Sequence, residues 1–355
     1  MTRYGVVTAA IGLAVGMLAA APAGAWDRGD VDVLAVLPDV TPGHPSSVEG
    51  LTVGPDGNIY VPSFGFNATG ALTTGNAVLY VIRPNGTLVR KVTIQGSSPH
   101  MLGLGFNPVN GVLLVIDFGA GTVLRVDPTT GLSSVFMPTP KAGAGLNALT
   151  FDKLGNVYVS DSFNGVVWKT GPGGGPASIW SNDPLLGPGT GLTPPFGANG
   201  VAFNNALDAM YVANTATHQI VQIPVNKKDG SAGAASIFIT GINAPDGIAI
   251  DKKDNLWVCA NQEDDIIVLD KTGKVIAKLG DFNGINEKGV VRGLLFPASP
   301  AFSLDGKTLY VSNLTLFLPF AGAQAAVDSA WTLQVKHYSV AKLRAVIPPL
   351  DDDGH

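Results

Sequence analysis

Short apolar segments alternate with polar turns along the chain from about residue 30 to residue 345. Six stretches share one pattern, in which a short apolar strand, a tight turn rich in Asp, Asn and Gly, and a second apolar strand follow one another. That order is typical of a β-hairpin. The six stretches are GLTVGPDGNIYVPS from Gly50, GLGFNPVNGVLLVIDFG from Gly103, NALTFDKLGNVYVSDS from Asn147, NGVAFNNALDAMYVANT from Asn199, DGIAIDKKDNLWVCAN from Asp246 and SPAFSLDGKTLYVSNL from Ser299.

The central residue of each second strand recurs every 44 to 54 positions, through Tyr60, Leu114, Tyr158, Tyr211, Trp257 and Tyr310. Such a period accommodates about four strands, and further strand patterns such as VLYVIRPNGTLVRKVTI follow the hairpins. No long window has the 3.6-residue period of a helix. We therefore predict an all-β fold, a six-bladed β-propeller with four-stranded blades.

The two ends of the chain are predicted to complete the last blade together. WTLQVKHYSV follows the sixth hairpin and is predicted as its third strand, whereas VDVLAVLPDV near the N-terminus has no hairpin before it. We expect this N-terminal strand to supply the fourth position and close the ring. Because no linker interrupts the repeat, residues 26–355 are predicted to form a single domain.

Residues 1–25 have the pattern of a signal peptide. They contain one cation, Arg3, an apolar stretch from about Val6 to Leu18, and the small residues Ala23-Gly24-Ala25 before Trp26. An uncleaved anchor is the alternative, although the apolar stretch is short for a membrane span of about 20 residues. The expected protein is secreted or periplasmic, with no membrane span after signal cleavage.

Composition narrows the classes of partner. The chain has 46% hydrophobic and 14% charged residues, with 45 Gly and 25 Pro, which is consistent with a large core and many turns. The net charge is −5 and no more than two basic residues are adjacent, so a nucleic-acid partner is excluded. The single cysteine, Cys259, lies in an apolar strand pattern and is expected to be a buried structural thiol.

Long connections are concentrated on one predicted face of the propeller, where the chain enters the innermost strands. The connections are rich in Phe, Leu and Pro, and long loops in compact domains are commonly functional. They predict a lid over an apolar pocket, and they span residues 63–78, 181–198, 281–298 and 313–330.

Four blades place an acid or an amide two residues before the first apolar position of the inner strand: Glu49, Asn147, Asn199 and Asp246. Turn chemistry explains one such residue but not four in one register. Two carboxylates at one channel mouth would repel each other, and a divalent cation removes that repulsion. Calcium accepts six to eight oxygen ligands, whereas zinc prefers His or Cys and magnesium requires a stricter octahedron. We predict a site for Ca²⁺ or another divalent cation.

The motifs SVEGL, GLNAL, GANGV and APDGI before successive inner strands resemble the senescence marker protein/gluconolactonase (regucalcin-like) family. The chain also resembles, more distantly, paraoxonases and strictosidine synthase-like proteins. The resemblance covers residues 30 to 345 and implies a calcium-dependent six-bladed propeller that hydrolyses lactones or related esters. It also implies that Glu49, Asn147, Asn199 and Asp246 are the metal ligands.

The segment SPHMLGLGF resembles the paraoxonase segment that carries a catalytic histidine, with His100 at the matching position and two extra residues before the strand. A second histidine is missing near Asp117 and Phe118, and the sugar-gripping Arg and Asn of gluconolactonases have no clear match. The expected substrate is thus an apolar lactone or ester rather than a sugar lactone.

We predict an exported calcium-dependent hydrolase in which the metal polarises the substrate carbonyl. His100 and Asp246 are the predicted catalytic residues, each as the base that takes a proton from water. Two alternatives stay open: a propeller that binds a ligand or a protein without catalysis, and condensation chemistry of the strictosidine synthase kind, which needs a carboxylate base deep in an apolar pocket.

Overall fold

The computed structural model of the protein describes residues 1, 27–71, 74–189, 195–321 and 329–347. Nearly all regular structure in these residues is β-strand, in six antiparallel four-stranded sheets and two small two-stranded sheets. The innermost strands of neighbouring sheets contact one another around a complete ring, including the contact between the last sheet and the first. The predicted all-β six-bladed propeller is confirmed.

The described chain begins with β1 (Val31–Val36), which belongs to the last blade. Blade one contains β2 (Thr52–Val53), β3 (Ile59–Pro62), β6 (Val78–Ile82) and β7 (Leu88–Thr93), and the small hairpin β4 (Phe66–Asn67) and β5 (Gly70–Ala71) interrupts it. Blade two contains β8 (Met101–Phe106), β9 (Leu113–Asp117), β10 (Thr122–Val126) and β11 (Ser133–Met137). Blade three contains β12 (Leu146–Phe151), β13 (Val157–Asp161), β14 (Val166–Thr170) and β15 (Ser178–Ser181).

A 3-10 helix (Pro184–Leu186) precedes blade four, which contains β16 (Ala198–Phe203), β17 (Ala209–Asn214), β18 (Gln219–Pro224) and β19 (Ser236–Thr240). Blade five contains β20 (Pro245–Ile250), β21 (Leu256–Ala260), β22 (Asp265–Leu269) and β23 (Val275–Leu279). The hairpin of β24 (Phe282–Ile285) and β25 (Val291–Gly293) follows. Blade six contains β26 (Pro297–Phe302), β27 (Thr308–Asn313) and β28 (Ser339–Arg344), with a 3-10 helix (Leu318–Ala321) and α1 (Ser329–Thr332) between β27 and β28.

The ring closes through the N-terminal strand, as predicted. The order in blade six is β1-β28-β27-β26, and Val31 pairs with Leu343 in antiparallel register. The prediction for WTLQVKHYSV was wrong in its position, because this segment starts within α1 and only its last two residues belong to β28. Antiparallel pairing on both sides of β28 satisfies its backbone polar groups.

The core consists of apolar side chains packed between adjacent blades. The predicted central aromatic residues are buried there, with Trp257 and Tyr158 each 1% exposed. Trp257 meets Phe302 of blade six edge to face, with ring centroids 5.4 Å apart. Cys259 is fully buried in β21, in agreement with a structural thiol.

The predicted signal peptide lies outside the described residues, except for Met1. Among the helices that the structure describes, none has the length and apolar character needed to cross a membrane.

Candidate metal centre and apolar cavity

The inner strands of the blades share a β-bulge at one position. In β20, Pro245 pairs with Ala260 and Ile248 with Val258, so the inner strand has one residue more than its partner. The same shift occurs in blades two, three, four and six. In blade one, the bridge from Val48 to Ser63 followed by the Thr52–Tyr60 pair gives the same excess. A bulge bends its strand and turns side chains away from the regular alternation.

The first bulged residue is the predicted ligand in four blades and an apolar residue in two. In ring order from blade one to blade six these residues are Glu49, Leu102, Asn147, Asn199, Asp246 and Ala298. In most blades a glycine follows this residue, because the backbone of the neighbouring blade packs closely against it. A Cβ on Gly50 would collide with the Leu102 carbonyl, and one on Gly200 would collide with the Asp246 carbonyl.

One cavity of about 400 Å³ brings the four polar residues together. Glu49, Asn147, Asn199 and Asp246 all line it, and each is at most 7% exposed. Each comes from a different blade, so the shared wall results from the propeller ring and not from proximity in sequence. Of the predicted catalytic residues, Asp246 lines this cavity.

Each of the four side chains keeps one buried oxygen without a hydrogen-bond partner in the part of the chain that the structure describes. These atoms are Glu49 Oε2, Asn147 Oδ1, Asn199 Oδ1 and Asp246 Oδ1. An unpaired buried polar atom costs about 1–3 kcal/mol, and such atoms are rare in folded proteins. Four of them around one cavity indicate a site for an electrophilic ligand.

The surroundings raise the pKa of both carboxyl groups. Burial and the charge of Asp246 raise the pKa of Glu49 well above its usual value. Burial raises the pKa of Asp246 to about 7, although the amides of Asn261 and Asn199 partly oppose the rise. A bound cation would hold both groups ionised. No three His, Cys, Asp or Glu side chains form a metal-binding cluster in the described ranges, so such a cation would depend on the two amides as well.

Two further polar residues hold two of the four predicted ligands, Asp246 and Asn199, in place. Asn261 Nδ2 donates to Asp246 Oδ2 at 3.1 Å and leaves Oδ1 directed elsewhere. Asn199 Nδ2 donates to Thr215 Oγ1 at 2.9 Å, and this hydroxyl donates to the Pro245 carbonyl at 2.8 Å. Sequence analysis missed both residues. Their common signal is that each directly follows the second strand of its blade.

His100 is not among the residues that line the cavity. Its Nδ1 is 2.7 Å from the Phe64 carbonyl oxygen, and its ring lies against Phe66 with centroids 4.7 Å apart. Asp117, near the position where a second histidine was sought, accepts hydrogen bonds from Ser98 and Ala120. A catalytic role for His100 stays a prediction.

Apolar residues form the rest of the cavity wall. Five phenylalanines make a continuous series of ring contacts, with centroid separations from 4.8 to 6.2 Å: Phe66, Phe64, Phe118, Phe163 and Phe196. Three leucines, Leu314, Leu316 and Leu318, also line the cavity. The cavity therefore combines an oxygen-rich site with a hydrocarbon surface.

Three of the four connections predicted to cover a pocket contribute to this wall, namely those at 63–78, 181–198 and 313–330. The connection at 281–298 instead forms the β24–β25 hairpin, and its Phe282 packs against Trp331. Residues 72–73, 190–194 and 322–328 of these connections lie outside the described residues. Phe118 and Phe163 were missed because they occupy the short β9–β10 and β13–β14 turns, which open on the same face.

Residues 113–280 match the family described as the SMP-30/gluconolactonase/LRE-like region. This match includes Asn147, Asn199 and Asp246 and excludes Glu49. The predicted resemblance to the gluconolactonase family is thereby confirmed over these residues. No curated protein matches the chain in sequence.

Solved structures support the fold at low sequence identity. A gluconolactonase from Xanthomonas campestris aligns with TM-score 0.60 at 14% identity, over 88% of this chain and 89% of that one. Regucalcin from Agrobacterium tumefaciens, a calcium-binding protein, aligns with TM-score 0.60 at 17% identity, over 87% and 94%. Virginiamycin B lyase from Staphylococcus aureus aligns with TM-score 0.53 at 16% identity, over 86% and 83%.

Proposed function

We propose that this lactonase-like propeller is a hydrolase of lactones or related esters that depends on Ca²⁺ or another divalent cation. The observation that carries the proposal is the set of four unpartnered, buried oxygens that four blades direct to one cavity. The family match over residues 113–280 and the gluconolactonase and regucalcin neighbours support the same reading.

The donor set fits a hard cation. Two carboxylates and two amides offer only oxygen, which suits Ca²⁺ better than zinc, and the four leave coordination positions for water and substrate. Glu49 and Asp246 would balance the two positive charges, while Asn147 and Asn199 would add neutral oxygen ligands. When bound, such a cation supplies Lewis-acid polarisation of a substrate carbonyl.

A side chain of the protein must then accept a proton from the attacking water. Asp246 is the better-placed base, because its carboxyl group lines the cavity whereas His100 is not among the lining residues. Water adds its oxygen to the carbonyl carbon, Asp246 takes the proton, and the ring or ester oxygen leaves with a proton returned from the same carboxyl group. Asn261 fixes the orientation of Asp246 through Oδ2.

The test combines cation binding with turnover. Wild-type protein is titrated with CaCl₂ by calorimetry and assayed on γ-lactones, δ-lactones and aryl esters, with calcium and with EDTA. We expect chelator-sensitive hydrolysis, and we expect Glu49→Gln to lose cation binding and turnover together. Asp305→Asn, which changes an exposed acid on the opposite face, is the matched control and should behave as wild type. Full activity of Glu49→Gln would refute the proposal.

Binding without catalysis is the second candidate, and it is favoured because His100 is not among the residues that line the cavity. Cation binding without turnover of any ester in the panel would support this candidate. Condensation chemistry would use the same buried Asp246 as a base, and its distinguishing result is carbon–carbon bond formation that EDTA does not inhibit.

We also propose that the protein is exported after removal of residues 1–25. Expression of the full-length gene product with its leader, followed by N-terminal sequencing of the extracellular or periplasmic fraction, tests this. A mature protein that begins at Trp26 is expected, and a product that still begins at Met1 would contradict it.

A further inference from the structure

The six bulge positions divide the channel mouth into two unlike sides. Oxygen-bearing residues occupy the positions of blades three, four and five, whereas Leu102 in blade two and Ala298 in blade six occupy the positions on either side of Glu49. A ring built for a cation alone has no need of this asymmetry.

The apolar side extends from these two positions up to the mouth. Leu102 and Ala298 belong to one buried cluster with Phe64, Leu314, Leu316 and Leu318. All six are at most 8% exposed, and they come from blades six, one and two. Of the described residues that line the cavity from these three blades, Glu49 is the only polar one.

We propose that the side formed by Leu102, Leu314, Leu316 and Leu318 is a subsite for the hydrocarbon substituent of a lactone, with Leu102 as a specificity-determining residue. This inference rests on the proposed hydrolase function and assigns its substrate class: γ- or δ-lactones that carry an alkyl or aryl group. The ester carbonyl would face the four oxygens, and the substituent would lie against blades six, one and two.

The chemistry of the wall excludes polyhydroxylated lactones from this subsite. Sugar hydroxyls placed there would lose their water without a replacement hydrogen bond, because the leucine and phenylalanine side chains offer none. A hydrocarbon chain gains instead from each methylene that it buries, by a factor of about four in affinity.

The first experiment measures binding alone. γ-Alkyl-γ-lactams, which resist hydrolysis, are titrated into the CaCl₂-loaded protein by calorimetry, with side chains from methyl to octyl. We expect Kd to fall about fourfold for each added methylene until the subsite is filled. Leu102→Asn, which keeps the number and branching of the side-chain heavy atoms but makes them polar, should flatten this series, and Leu316→Asn should do the same if the first variant fails to fold. Leu304→Asn, at a leucine 64% exposed on the opposite face, is the control.

The second experiment measures turnover of γ-butyrolactone, γ-dodecalactone and glucono-δ-lactone. The expected result is a kcat/KM for γ-dodecalactone more than tenfold above that for γ-butyrolactone, and a ratio that drops at least tenfold in Leu102→Asn. Hydrolysis that is fastest on the sugar lactone would overturn the subsite while the hydrolase proposal stands. Chain-length-dependent lactam binding without any lactone turnover would support the subsite and refute the hydrolase. A lactam Kd that is independent of chain length would overturn the subsite.

Discussion

Two aspartates at opposite ends of β20 have contrasting surroundings. Asp251, at the base of blade five, accepts hydrogen bonds at Oδ1 from the backbone N–H groups of Lys253 and Asn255, at 2.8 and 2.9 Å. Its Oδ2 accepts from Asn255 Nδ2 at 2.8 Å and Trp257 Nε1 at 3.1 Å. Asp246, at the channel mouth, has one bond from Asn261 and a buried oxygen with no partner among the described residues.

The hydrogen-bonding pattern of Asp251 recurs in other blades on the same face of the propeller, where no ligand is expected. Asp152 binds the Asn156 side chain and the Tyr158 hydroxyl in blade three, and Asp56 binds Asn58 and Tyr60 in blade one. These carboxylates secure the turn and the central aromatic residue of each hairpin. Fully satisfied polar groups stabilise a fold, whereas groups left unsatisfied in the same strand mark the place where a ligand completes them.

The strongest test of this contrast replaces aspartate by asparagine at each end of β20 in turn. Asp251→Asn places an amide donor against the donors of Asn255 and Trp257, so we expect the free energy of unfolding to fall by about 2–4 kcal/mol. Asp246→Asn removes a buried unpaired charge, so in EDTA at pH 8 we expect stability to stay equal or rise by about 1–3 kcal/mol. Cation affinity should fall more than 100-fold in Asp246→Asn and should not change in Asp251→Asn. Urea denaturation and CaCl₂ calorimetry measure these quantities.

Equal destabilisation by both substitutions in EDTA would show that Asp246 is a structural residue like Asp251. A cation affinity that Asp246→Asn leaves unchanged would remove it from the ligand set.

The pH dependence of stability sharpens the contrast further. In the folded protein the pKa of Asp246 is about 7 against a usual 3.8, and that of Glu49 is also raised. A group with a raised pKa contributes stability that is complete below its unfolded pKa and is lost as pH rises through the folded pKa. In EDTA, stability should therefore fall by roughly 3 kcal/mol between pH 4 and pH 7. Urea denaturation at half-unit pH steps measures it.

Saturating CaCl₂ should abolish most of that decrease, since the cation keeps both carboxylates ionised. Asp246→Asn should shrink the decrease in EDTA, and a slope that this variant preserves would assign the effect to other groups.

The smallest expected effect compares two exposed apolar side chains, Phe163 at the mouth and Leu304 at the base, which are 45% and 64% exposed. Replacement of either by alanine should change stability by less than about 1 kcal/mol. Only Phe163→Ala should raise KM for an aryl ester, by about three- to tenfold, because its ring lies between those of Phe118 and Phe196. Steady-state kinetics decide this, and equal KM values for both variants would mean that the aromatic series does not contact substrate.

The blade pattern and the four polar positions could be predicted from sequence because both repeat. A hairpin signal that recurs six times defines the propeller, and the offset of Asp246 from Ile248 repeats at Glu49 and Leu51. Leu102 and Ala298 occupy the same register but could not be recognised, since an apolar residue before an apolar strand carries no signal of its own. The bulge that gives all six positions one orientation is visible only in the strand pairing.

Other features depend on packing between segments far apart in the chain. The imidazole of His100 is the usual side chain of a catalytic base, yet it contacts Phe64 and Phe66 from another blade and is not among the residues that line the cavity. The short turns that carry Phe118 and Phe163 differ little in sequence from turns at the base. Phe118 and Phe163 contribute to the cavity wall only because the closed propeller brings their side chains into contact.

The pairing of β1 with β28 has a consequence for biosynthesis. The first strand made must wait for the last, because its hydrogen-bonding partner is synthesised about 300 residues later. Until then blade six lacks its third strand, and β1 lacks the strand that joins it to β27. An emerging polypeptide can thus assemble five blades, but it acquires a continuous ring only after its C-terminal strand is released.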